Sequence, residues 1–76
     1  MDQKINIVLT KDEALVLFDF LGRFNAQEHI NIFEDQAEQR ILWDIEAQME
    51  QALVDPLKPN YTDLVMEARD KVRDKE

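Results

Sequence analysis

Seventy-six residues carrying seventeen acidic and nine basic side chains, a formal charge of −8 and no cysteine already exclude a good deal. Disulfides and thiolate metal sites are ruled out, one glycine leaves no glycine-rich phosphate loop, and a chain with neither serine nor cysteine has no serine or thiol nucleophile. The acidity repels nucleic-acid phosphates and anionic membrane surfaces and attracts basic partners. A chain this short buries only about 60–65% of the surface its unfolded state exposes, so regular helix packing and self-association have to supply the rest.

The first ten residues, MDQKINIVLT, are too polar for a signal peptide. The longest unbroken apolar run, Ala14–Phe18, is far below the roughly 20 residues of a membrane span. A cytoplasmic location is therefore expected. Residues 4–9 place Ile5, Ile7 and Leu9 on one side and Asn6 on the other, the period-2 pattern of a short strand. One strand alone leaves its backbone groups unpaired. It requires residues 30–33, its twin in a dimer, or a strand from a partner.

Thr10-Lys-Asp-Glu13 is a capping box and predicts a first helix from there to about Phe24. Its main apolar stripe is Ala14, Leu17, Phe18, Leu21 and Phe24, widened by Leu15, Val16 and Phe20, so it is central to the core. Asp19 and Arg23 form an i,i+4 pair on its polar strip. Gly22, late in the helix, leaves room for a neighbour to approach. Residues 25–33 read as a connection in which Ile30-Asn-Ile-Phe33 alternates as a second short strand would. His29 is expected at the surface.

The second helix is predicted over about Glu34 to Val54, with a core stripe of Ala37, Ile41, Ile45, Met49 and Ala52 and with Leu42 and Leu53 alongside. Asp55-Pro-Leu-Lys-Pro59 stops it, because proline cannot continue a helix and restricts the residue before it. Asn60 is the expected N-cap of a last helix, Tyr61 to about Asp74, striped by Tyr61, Leu64, Val65, Ala68 and Val72. The expected fold is mainly α: a short N-terminal strand followed by a compact three-helix bundle, in one domain covering residues 1–76.

Chemistry is sparse along this chain. Di-iron carboxylate bundles use Glu-x-x-His pairs on two helices, whereas here Ala26 stands three before the only histidine. Glu46 and Glu50 point away from the predicted core stripe. No metal, cofactor or catalytic residue is expected. In the last helix Arg69, Lys71 and Arg73 are interleaved with Glu67, Asp70 and Asp74, which suits a solvated ion-paired face and not a phosphate contact.

Trp43 is the anomaly. The wheel sets it almost opposite the predicted core stripe, in the company of Gln39, Glu46, Ala47 and Glu50. Leaving such a residue wet forgoes about 2–3 kcal/mol, and tryptophan is a frequent interface anchor. Three readings stay open: cover by another part of the same chain, a self-association interface, or a foreign partner.

Two runs, Leu9-Thr-Lys-Asp-Glu-Ala-Leu-Val-Leu-Phe18 and Phe33-Glu-Asp-Gln-Ala-Glu-Gln-Arg-Ile-Leu-Trp43, resemble a group of short, acidic, helical bacterial proteins of uncharacterised function. The likeness spans about residues 9–60 and consists of core and cap positions. It implies a bacterial cytoplasmic protein and brings no activity or site residue. The expected function is that of a small acidic non-enzymatic interaction protein acting as a homodimer, with Trp43, Gln39, Glu46, Ala47 and Glu50 as candidate partner-binding residues. The alternative is an acidic inhibitor, of the immunity or antitoxin kind, that covers a basic surface. Neither nucleic acid nor membrane is an expected partner.

Overall fold

A computed structural model describes residues 3–29 and 31–74 of the chain. Three helices account for most of them: α1 (Lys11–Asn25), α2 (Gln36–Ala52) and α3 (Tyr61–Arg73), with a short 3-10 turn at Asp55–Leu57 ahead of α3. The capping box forms as the sequence predicts. The Glu13 amide donates to Thr10 Oγ1 at 3.1 Å, and the Thr10 amide donates to Glu13 Oε1 at 2.9 Å. Two of the orphan donors of the first turn are thereby satisfied.

The other boundaries move by a residue or two. α2 starts at Gln36 because the Asp35 carboxylate accepts from the Ala37 amide at 2.7 Å and so serves as the cap. It ends at Ala52, where Leu53 turns extended shortly before the Asp55-Pro56 step. α3 begins after Asn60 as expected, yet the Asn60 side chain makes no capping bond. The Tyr61 amide instead donates to the Lys58 carbonyl at 3.2 Å, so the 3-10 turn runs directly into the helix.

The buried apolar core is the seam between α1 and α3. Leu15, Leu21, Val65 and Ala68 are the buried hydrophobic residues, and Ala68 is fully covered. A polar clasp reinforces this seam. Asp19 on α1 accepts from Arg69 Nη2 at 2.9 Å on Oδ2 and from the Tyr61 hydroxyl at 3.4 Å on Oδ1, both on α3, while Arg23 Nε of α1 shares Oδ2 at 3.2 Å. Burial first, and then the Asp19 charge, raise the Tyr61 phenol above its ordinary pKa. A second clasp lies at the base of α1. Lys11 Nζ stands 2.8 Å from the carboxylate of Asp55, which is buried, and Lys58 Nζ lies 3.7 Å from its other oxygen. The Lys11 ammonium holds the Asp55 carboxyl below the usual carboxylate range.

Two expectations are corrected. The N-terminal strand is absent, and no strand occurs among the described residues. Residues 3–10 are irregular and exposed, and no other described segment is extended as a strand for them to pair with. The alternating run at residues 30–33 forms no strand either: residues 31 and 32 lie in a turn, and Ile30 lies outside the described residues.

The second correction concerns α2, which has no buried residue. Its expected stripe is largely open: Ala37, Ile41 and Ala52 are exposed, and Ile45 and Met49 are half-buried. The line that meets α1 runs instead through Leu42, Glu46, Met49 and Leu53, a rotation of roughly 90° from the predicted stripe. Asn25 fixes that rotation, since its Nδ2 donates to the Leu42 carbonyl at 3.3 Å and to Glu46 Oε1 at 2.8 Å. Gly22 is where the two helices come close. A methyl group there would stand 3.7 Å from Glu46 Oε2, an ordinary contact distance.

The surface measures how unfinished this packing is. The chain exposes 6554 Å², whereas a folded monomer of 9.0 kDa exposes about 4,900 Å². The radius of gyration is 14.0 Å, against about 11 Å for a compact chain of this length.

Candidate functional site

Ile5, Ile7, Val8 and Leu9 before α1 and Ile41 and Trp43 of α2 are among the exposed large apolar residues. Ile41 and the N-terminal arm border an open groove of about 490 Å³. Ile5, Ile7 and Leu9 form one wall, and Leu17 of α1 with Ile41, Ile45 and Met49 of α2 forms the other. Its two polar members are Asn6 and Gln48, and no charged side chain lines it. In a chain whose residues are 34% charged, a stretch of that length without a charge is an apolar patch set aside from the solvated faces. The arm overhangs the groove and does not fill it: Ile5 is 83% exposed and Ile7 81%.

Trp43 lies on the opposite flank of α2, 47% exposed. The rotation of the helix explains this, because a tryptophan opposite the predicted stripe becomes one beside the actual seam. Ala47 and Glu50 are exposed on the same flank. Gln39 and Glu46 are half-buried, and the Glu46 carboxylate is engaged by Asn25. Of the five residues singled out on the wheel, Trp43, Ala47 and Glu50 therefore share an accessible flank, Gln39 is half-buried next to Trp43, and Glu46 sits at the seam with α1. A shallow depression beside Trp43 is lined by Asp35, Gln39 and Arg40, a mixed set of charges.

His29 is half-buried and not at the open surface. Its ring stacks on Phe24 with centroids 3.8 Å apart, and its Nε2 donates to the Phe24 carbonyl at 2.8 Å. Phe33 meets Phe24 edge-on at 6.1 Å, so the connection from α1 to α2 is closed by a small aromatic cluster. Sequence spacing gave no hint of the two carboxylate clasps. Asp55 reads as part of a helix stop, and its partner Lys11 is 44 positions away. Asp19 reads as one half of a local pair, and its partner Arg69 is 50 positions away.

Among the described residues, no group of three histidine or carboxylate side chains converges as a metal would need. Among them also, no helix is long and apolar enough to cross a membrane. No family model, curated protein or solved structure matches the chain.

Proposed function

We propose that this chain is an interaction protein without catalytic chemistry of its own, and that it works as a homo-oligomer, most simply a dimer. One observation carries the reading: a 17-residue helix with no buried residue borders a charge-free apolar groove. A helix of that length gains most of its stability from packing an apolar face, and the main neighbour of α2 among the described elements is α1. The surface exposed beyond the expectation for a monomer is on the order of 1,600 Å², and a standard interface takes about 800 Å² from each partner. Light scattering coupled to size exclusion tests the reading. The expected mass at high micromolar concentration is twice 9.0 kDa, and the monomer mass under those conditions overturns it.

The alternative, an acidic inhibitor covering a basic surface, draws its support from the half-exposed Trp43 beside Glu50 and Ala47. An indole face next to a carboxylate suits an arginine or lysine by cation–π attraction of about 0.5–2 kcal/mol. The engagement of Glu46 with Asn25 takes one carboxylate out of that surface. The homo-oligomer is the better supported of the two.

A further inference from the structure

We propose that the second copy is held through residues 4–9: the two arms pair antiparallel about a twofold axis centred on Ile7, and the apolar side of the resulting ribbon closes both grooves. This rests on the self-association proposed above and adds the surface and the register.

The arm has the chemistry of an unpaired strand edge. Its side chains alternate, and among the described residues no backbone hydrogen bond joins residues 3–9 to the rest of the chain. Folding the arm down onto its own groove does not finish the structure. That would press peptide N–H and C=O groups against Ile41, Ile45 and Met49, which have nothing to donate or accept. A second strand satisfies the peptide groups and the groove together, which is the mode of strand addition at an exposed edge.

Charge selects the twin over a foreign strand or helix with a basic face. Two chains of −8 repel wherever their carboxylates meet, and this groove is lined by none. A basic partner would find no carboxylate in it to pair with. Register follows from the pleat. In an antiparallel pair, directly opposed residues share a face, so a twofold axis on Ile7 opposes Ile5 with Leu9 and Ile7 with its own copy. All six apolar side chains then face the helices. A slip of one residue in the pairing would set Ile5 opposite Val8 and so turn the partner strand's Ile5, Ile7 and Leu9 to the outer face. The contact is isologous, so it closes at two copies and does not propagate.

The test uses the absence of native cysteine. Ile7→Cys places one thiol per chain on the proposed axis, where strand spacing permits a disulfide. Thr62→Cys, on the exposed side of α3, reports random collision. Under mild oxidation Ile7→Cys is expected to form a covalent dimer, and Thr62→Cys at least about tenfold less of it, since apposed thiols meet at an effective concentration in the millimolar range. Ile7→Asp, a change at an exposed position, should return the monomer mass with unchanged helical circular dichroism. A parent protein of dimer mass whose Ile7→Cys variant does not cross-link, and whose Ile7→Asp variant stays dimeric, overturns the arm pairing and leaves self-association standing. Equal cross-linking at both positions overturns the pairing as well. A parent protein of monomer mass overturns both proposals.

Discussion

The two seams that α1 makes differ in kind. Against α3 it buries Leu15 and Leu21 on Val65 and Ala68, and the Asp19 carboxylate is shared with Tyr61 and Arg69 across the joint. Against α2 it has half-buried side chains and one amide, Asn25, spanning to Leu42 and Glu46. The same central helix therefore has one finished face and one open face. A bundle built this way holds its fold chiefly with α1 and α3, where the buried residues lie. On the self-association proposed above, stability and interaction are divided between different helices, and substitutions should separate them.

The largest effect is expected at the finished seam. Leu21 is 2% exposed, and Leu21→Ala should cost about 2–5 kcal/mol, as a buried leucine truncated in place. That is a large part of the total stability of a chain this size, about 4–11 kcal/mol. Ile45→Ala removes a side chain of similar size from the half-open seam and should cost about 1 kcal/mol or less, since much of it is already in water. Chemical denaturation of the two variants at one low protein concentration makes the comparison. Equal costs would mean that α2 is as firmly packed as α3.

A smaller effect is expected from the clasp at the base of α1. The folded-state pKa of Asp55 is lowered by Lys11 and Lys58. A carboxyl with a depressed folded pKa contributes stability that is fully present above its unfolded value, about 3.9, and is lost as pH falls through the lower folded value. Wild type should therefore be more stable than Asp55→Asn at neutral pH, and the difference between them should shrink in acid below about pH 4. The difference matters more than either curve, because the chain's other carboxylates also titrate there. A gap that stays constant into strong acid would remove the ion contacts as its cause.

Local chemistry is what the sequence made legible. The capping box at Thr10, the stop before Pro56 and the start of α3 depend on neighbours within a few positions, and each was recovered to within a residue or two. The facing of α2 was not, because two stripes compete on it. One runs through Ile41, Ile45 and Ala52, the other through Leu42, Met49 and Leu53, and periodicity alone weighs them equally. What decides between them is Asn25, reaching across 21 positions to Glu46. The strand pattern at residues 4–9 is present in the sequence, but pairing is a property of two backbones and one chain supplies only one. Trp43 is half-exposed beside the seam, and the open apolar surface on the other flank of α2 is the one that periodicity reads as core.

The finest test of the division between helices is a substitution expected to do almost nothing to the monomer. Ile41 is 51% exposed on the groove side of α2. Ile41→Gln keeps a side chain of similar length, stays within good helix formers, and removes apolar surface that the monomer barely uses. At a protein concentration low enough to keep the chain monomeric, its stability should stay within about 0.5 kcal/mol of wild type, the ordinary range for an exposed position. At high concentration the two should part. Anything that binds only the folded state raises its apparent stability by mass action, so a self-associating wild type should show a melting temperature that climbs with protein concentration. In Ile41→Gln that climb should flatten. The measurement is a melting series over a hundredfold dilution, about 2.7 kcal/mol in the concentration term where association is tight. Were Ile41→Gln instead to lower the melting temperature equally at every concentration, Ile41 would belong to the monomer's own core, and the open face of α2 would lose its claim to be a surface kept for a partner.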